Sequence, residues 1–206
     1  MELYMNLLNN IQAKNILVIG DVMLDTYYTG DIKRISPEAP VPVFRKSSEW
    51  SVLGGAANVA ANLIAAGQNV FIMSIIGNDE KGKQLKSEFE KQGINTEHIY
   101  LLNRHTTEKI RFLASNNQQV LRLDIENTDP LTENDCKKLI SKLGQEIDKF
   151  DLILLSDYLK GLLTYKFTQG ILQMAKEKGI PAIVDVKDPE IDKYADAYLI
   201  KPNLNE

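Results

Sequence analysis

The chain has 206 residues, 44% of them hydrophobic and 25% charged, with a formal net charge of −4. That size and balance suit one globular soluble domain with a sizeable core. They argue against a nucleic-acid groove, and no apolar run reaches the length needed to cross a bilayer.

The only cysteine is Cys136, so an intrachain disulfide framework is excluded. The two histidines, His98 and His105, are not in metal-ligand spacing, and neither lies near Cys136 in sequence. Cys136 therefore reads as an incidental helix residue. The N-terminus carries acidic Glu2 and no signal-peptide stretch, which with the lone thiol predicts a cytoplasmic protein.

In chain order, Ile16 to Ile19 is a buried strand ending at Gly20-Asp21, and a polar loop follows it. Pro40 to Lys46 reads as an extended, Pro-bounded strand. Gly54-Gly55 then opens an alanine-rich helix that continues from Val59 to Ala66 and stops at Gly67. Val70 to Ile76 is a strand, and Glu80 to Gln92 a helix ending at Gly93. Ile110 to Ser115 and Gln119 to Ile125 alternate in period two around Asn116-Asn117, a hairpin signal. Thr132 to Lys149 is a helix with Thr132 as N-cap and Asp135 three positions on. Leu152 to Leu155 is a strand, and Thr164 to Lys178 a helix closed by Gly179. Pro181 to Val184 and Tyr198 to Ile200 are strands. Alternating strands and helices predict an α/β domain with a mostly parallel sheet. The Pro40 segment and the hairpin have no crossover helix, so they form a small second sheet beside the main one.

Two stretches carry chemical information. Leu53-Gly54-Gly55-Ala56-Ala57-Asn58 joins backbone without side chains to a helix N-terminus with free N–H groups. Asn58 in the first turn offers a donor and an acceptor, which suits sugar hydroxyls. The same glycines would also serve merely to end a loop before a core-facing helix. Asp21 follows the end of the first strand, the edge at which open α/β sheets bind ligands. Its carboxylate can accept from two vicinal hydroxyls, or it can cap a turn; Asp25 is a second choice for sugar contact, since it can cap local backbone instead.

Gly20-Asp21-Val22-Met23-Leu24-Asp25, Arg34-Ile35-Ser36-Pro37-Glu38-Ala39-Pro40-Val41-Pro42 and Gly54-Gly55-Ala56-Ala57-Asn58 together resemble the ribokinase-like (PfkB) family of small-molecule kinases. The resemblance continues through Gln119-Val120-Leu121-Arg122-Leu123-Asp124, Ser156-Asp157-Tyr158-Leu159-Lys160-Gly161 and Lys201-Pro202-Asn203-Leu204-Asn205-Glu206. Within the family it is closest to the branch that phosphorylates D-glycero-β-D-manno-heptose 7-phosphate in ADP-heptose synthesis. It implies a three-layer α/β/α fold with a β-sheet lid (segments about 31–50 and 106–127), ATP and Mg²⁺ as cofactors, and a sugar phosphate as acceptor. It also implies a homodimer through the lid and a fused nucleotidyltransferase domain in longer relatives.

By this resemblance Asp21, Gly54, Gly55 and Asn58 cradle the sugar, and Lys109, Arg111, Arg122 and Lys160 are candidates to hold its phosphate, as is Arg34, which can instead serve the lid or the dimer. Lys109 and Arg111, two apart on a strand, share a face; such a stripe is also an ordinary solvated face. Asp157 and Lys160 sit at the ligand edge of the sheet. Asp185 and Lys187 close the next strand toward the nucleotide phosphates. Asn203 and Glu206 match an Asn-x-x-Glu signature that organises Mg²⁺, with Glu206 acting through water.

The family's Gly-Ala-Gly-Asp motif, whose Asp is the general base, is not in this sequence. The expectation is therefore an N-terminal portion of a kinase domain that binds sugar phosphate and turns over poorly alone. Two alternatives stand beside this reading. One is another sugar kinase of the family, of fructokinase or ribokinase type. The other is a non-catalytic sugar-phosphate-binding or dimerisation module.

Overall fold

A computed structural model describes residues 12–203. Strand β1 (Asn15–Gly20) is buried on both sides, as expected of a central strand in a parallel sheet. Ile16 and Val18 face one core, Leu17 and Ile19 the other. After β1 come β2 (Val22–Ile35), β3 (Pro42–Gly55), α1 (Ala56–Ala65), β4 (Asn69–Gly77), α2 (Glu80–Lys91) and β5 (Asn95–Leu102). The chain continues through β6 (Glu108–Ala114), β7 (Gln118–Ile125), α3 (Glu133–Gly144), β8 (Leu152–Ser156), α4 (Tyr165–Lys178), β9 (Ala182–Asp185) and β10 (Leu199–Lys201).

The main sheet runs β10-β9-β8-β1-β4-β5, and every pairing in it is parallel. On one face α3 and α4 contribute Leu139, Leu143, Phe167 and Ile171 to the core; on the other, α1 and α2 contribute Ala57, Ala60, Leu85 and Phe89. This is the three-layer α/β/α architecture that the alternating pattern predicts.

The second sheet runs β3-β2-β6-β7, with only the β2–β6 pair parallel. Its hairpin turns at Asn116 and Asn117, both left-handed (φ 65° and 60°), the geometry a tight turn between twisted strands demands.

Four sequence expectations need correction. Residues 22–35 are not a polar loop but a 14-residue strand, rich in Tyr, Thr and Ile and paired on both edges. The Pro40 to Lys46 strand begins at Pro42 and runs on to Gly55; its polar Ser47, Ser48 and Glu49 hide the period because the sheet is exposed there. The lid sheet accordingly covers more chain than segments 31–50 and 106–127. The helix begun at Thr132 ends at Gly144, and residues 147–149 form a separate 3₁₀ turn. Strand β5 has no sequence signal of its own, because its mixed Asn-Thr-Glu-His start carries no apolar alternation. The caps held: Thr132 and Thr164 accept from Asp135 N–H and Phe167 N–H, and helices stop before Gly67, Gly93 and Gly179.

The lid is rooted on α2 by a buried charge. Glu108, 3% exposed, accepts from Thr26 Oγ1 at 2.6 Å and pairs with Lys81 Nζ at 2.7 Å. Replacing Lys81 with Met removes the counter-charge from this carboxylate, and should lower stability by about 2 kcal/mol. Chemical denaturation of the two proteins measures it; an unchanged midpoint would show that Thr26 alone satisfies Glu108.

Candidate active site

At the C-terminal edge of the main sheet, under the lid, lies a cavity of about 500 Å³. Its floor is Gly54, Gly55 and Asn58, where β3 passes into α1; its lid wall is Met23, Asp25, Lys109, Arg111 and Arg122; its third side is Tyr158, Lys160 and Lys187. The register explains the lid wall. Asp25 pairs with Lys109, Lys109 with Asp124, and Arg111 with both Tyr27 and Arg122, so these side chains stand on one face.

Gly54 is required by this arrangement: a Cβ there would sit 2.3 Å from Asp25 Oδ2 and 2.9 Å from Met23 Cγ. Gly55 takes φ +59° as the N-cap of α1, placing Asn58 in the first turn.

The cations are held by carboxylates. Arg111 Nη1 lies 2.5 Å from Asp25 Oδ1, and its guanidinium stacks over Tyr27, 5.3 Å from the ring centroid. Tyr27 in turn stacks on Trp50 at 5.3 Å. Lys109 Nζ is 3.1 Å from Asp124 and 3.7 Å from Glu126, Arg122 Nη2 is 3.0 Å from Asp124, and Lys160 Nζ is 2.8 Å from Glu126. Burial pushes the Asp124 carboxyl upward, but hydrogen bonds from Lys109 and Arg122 outweigh it and hold the group below its usual range.

Two predicted residues are placed elsewhere. Asp21 is 4% exposed and absent from the cavity wall. Its carboxylate accepts from the backbone N–H groups of Tyr158 (2.9 Å), Lys160 (3.1 Å) and Leu162 (3.4 Å). The turn-capping alternative thus describes it better than the sugar-binding one. The cavity carboxylate is Asp25, four residues on. Period-two reading across 22–35 would have favoured it, had that stretch been recognised as a strand.

Asp157 is turned inward, accepting from Lys193 Nζ and Tyr194 Oη, each at 2.6 Å. Burial and then the bond to Asp157 push the Tyr194 phenol far above its ordinary range. Tyr158, which lies in the Ser156–Gly161 motif but was given no role of its own, lines the cavity and carries Lys187 Nζ 5.0 Å from its ring centroid. Arg34 lies in a separate depression along the lid with Arg45 and Lys33.

Of the residues expected to face nucleotide, Asp185 Oδ1 is 2.9 Å from Lys201 Nζ, and Lys187 lines the cavity. Asn203 is exposed just beyond β10, and Glu206 lies outside the described residues. Lys187, Lys201 and Asn203 are the right donor types for polyphosphate, and Asp185 for a hydrated cation. Among the described residues one cluster brings metal-ligating atoms together, Glu97, His98 and Glu146 on and beside β5; there Lys149 already pairs with Glu146 at 2.8 Å.

The profile described as pfkB family carbohydrate kinase matches residues 13–206. The Bifunctional protein HldE of Aliarcobacter butzleri is 45% identical over 192 residues, covering 93% of this chain and 40% of that protein. The protein of the same name from Haemophilus influenzae (strain PittEE) is 43% identical over 195 residues, covering 95% and 40%. The chain thus spans about 40% of the length of these relatives. Among solved structures, Arabidopsis thaliana ribokinase complexed with ribose and ATP superposes with a TM-score of 0.67 at 16% identity, covering 94% of this chain and 61% of that one. The tetrameric inhibited form of phosphofructokinase-2 from Escherichia coli gives 0.70 at 17%, covering 95% and 62%.

Burial raises the Asp21 carboxyl above its ordinary 3.8; the Lys160 and Tyr158 N–H bonds only partly offset this, and the Asp157 charge adds to it. The native state therefore holds this proton more tightly than the unfolded chain. Its contribution to stability is fully present below pH 3.8 and is lost as pH climbs through the raised value. Urea midpoints against pH, compared between wild type and Asp21→Asn, should show the wild type losing ground to the variant as pH rises across that window; parallel profiles would show that Asp21 does not titrate there.

Proposed function

This chain belongs to the pfkB carbohydrate kinase family, and from that premise we propose that it is the acceptor-binding portion of a kinase. The acceptor is D-glycero-β-D-manno-heptose 7-phosphate, phosphorylated at its C1 hydroxyl to the 1,7-bisphosphate for ADP-heptose and lipopolysaccharide core synthesis. The observation that carries this reading is the cavity wall of Lys109, Arg111, Arg122 and Lys160 facing Asp25, Gly54 and Asn58. A neutral monosaccharide needs the Asp and Asn for its hydroxyls but no set of four cations. A sugar that already bears a phosphate needs both. Identity of 45% to a protein named HldE supports the same branch.

In this reading Asp25 accepts from ring hydroxyls, and Arg111 and the Tyr27–Trp50 stack keep it in place. Gly54 and Gly55 let the sugar lie against backbone, and Asn58 orients it. Asp25 is the one carboxylate among the lining residues and is already paired with Arg111 at 2.5 Å, which suits an acceptor of hydrogen bonds better than a general base. ATP with Mg²⁺, held by Lys187, Asp185, Lys201 and Asn203, would supply the transferred phosphoryl group. Lys187 stands at the wall shared by the two ligands, where a cation can screen repulsion between their phosphates.

The outer face of the lid fits a second copy of this chain. Opposite the cation stripe lie Tyr28, Phe44 and Phe112, in edge contact at 5.2–5.3 Å, with Leu121 and Leu123 exposed at 57% and 46%. A four-stranded sheet with apolar residues on its solvent face is stabilised by covering that face. The fused second domain implied by the relatives' bifunctional names belongs to the same proposal.

Two outcomes test it. Calorimetry should find heptose 7-phosphate bound in preference to fructose 6-phosphate and ribose, with K109E weakening it by about a hundredfold and leaving the unphosphorylated heptose nearly unaffected. Equal loss for both sugars would favour a kinase for neutral sugars. Leu121→Asp should shift the sedimentation coefficient from dimer to monomer; a wild type already monomeric at high concentration removes the dimer.

A further inference from the structure

Resting on that reading, we propose that Arg104 is a positioning residue: it sets the Lys160 ammonium at the cavity wall and so tunes affinity for the phosphate end of the acceptor. Arg104 lies between β5 and β6, does not line the acceptor cavity, and carries no signal that the motif reading used. Its guanidinium donates to two backbone carbonyls, those of Asn127 and Lys160, the latter at 2.8 Å. Asn127 follows Glu126, the partner of Lys160 Nζ at 2.8 Å. One nitrogen, Nη2, therefore ties the exit of the lid to the loop after β8, with the Glu126–Lys160 ion pair beside the tie.

The peptide units of Lys160 are gripped at both ends. Its N–H donates to Asp21 Oδ2 at 3.1 Å, and its C=O accepts from Arg104. The grip acts on a segment that would not hold this shape alone. Leu159 takes φ +58° although it has a side chain, and 45% of it is exposed. Gly161 takes φ +92°, with room for no Cβ, since one would sit 2.2 Å from the Asp129 carbonyl oxygen. Left-handed residues of this kind persist where surroundings over-determine them. Here an anion on the N–H side and a cation on the C=O side do so, and the product is a fixed Cα–Cβ direction for Lys160.

A residue that acts only through Lys160 has a distinctive signature in a double-mutant cycle. The 206-residue chain, R104A, K160A and the double variant are titrated with heptose 7-phosphate and, separately, with the unphosphorylated heptose, after each is shown to unfold cooperatively. Each single variant should bind the phosphorylated sugar about tenfold more weakly, the double variant no more weakly than K160A, and all four should bind the unphosphorylated sugar within about twofold. Effects of R104A and K160A that multiply, or an R104A loss equal for both sugars, would overturn the assignment and leave Arg104 a general support of the fold. A wild type that does not prefer the phosphorylated sugar would instead remove the phosphate-clamp reading itself, a result visible before any variant is made. Amide hydrogen exchange adds a second readout: R104A should speed exchange at Lys160 and Leu162, whereas K160A should not.

Discussion

One buried carboxylate joins the parts on which the site depends. Asp21 sits between β1 and β2, where the chain leaves the main sheet for the lid. Its N–H donates to the Ser156 carbonyl at the end of β8, and its own carbonyl accepts from Ala56 N–H at the start of α1. Its side chain gathers three N–H groups of the loop after β8. Central strand, lid, helix N-terminus and cavity loop thus meet at one residue. An ionised group out of water is costly unless hydrogen-bonded, and here the backbone donors supply that compensation. Burial still outweighs those bonds and raises the carboxyl above its ordinary value.

Much of the cavity's positive charge is offset by carboxylates, with Lys187 a fifth cation on its wall. Four cations, Lys109, Arg111, Arg122 and Lys160, face three carboxylates, Asp25, Asp124 and Glu126. Four cations without those partners would repel one another by several kcal/mol at an effective dielectric constant of about 20. The carboxylates hold the array together before any ligand arrives. Under the proposed function an entering phosphate would take over donors from Asp124 and Glu126, and its selectivity would depend on competing with carboxylates that do not themselves line the cavity.

Much of this was legible in the residues. Strands with both faces buried, such as β1, β4 and β8, announce themselves as apolar runs, the Thr N-caps mark the starts of α3 and α4, and Gly179 marks the end of α4. The Asn116-Asn117 turn marked its hairpin. What escaped were elements whose pattern is set by partners distant in sequence. Strand β2 is half exposed, and its polar and aromatic residues make sense only with β3 and β6 on either side. That omission put Asp25 second and gave Asp21, the acidic residue at the visible strand end, a ligand role that its buried bonds do not support. Asp157 misled in the same way: a carboxylate at a strand end is a ligand candidate by position, yet Lys193 and Tyr194, some 36 residues on, claim it. Arg104 could not be found from sequence, because its partners are carbonyl oxygens.

Strand β7 makes one last demand on the chain. Its odd and even positions do unrelated work: Arg122 and Asp124 serve the cavity, Leu121 and Leu123 the outer apolar face. Inserting or deleting a single residue in the turn before it would exchange the two sets, putting leucines into a charged cavity and charges onto an apolar surface. Ligand recognition and the outer apolar surface are therefore bound to one reading frame of side chains. Evolution can retune either face by substitution, but the length of the Asn116-Asn117 turn is not free to drift.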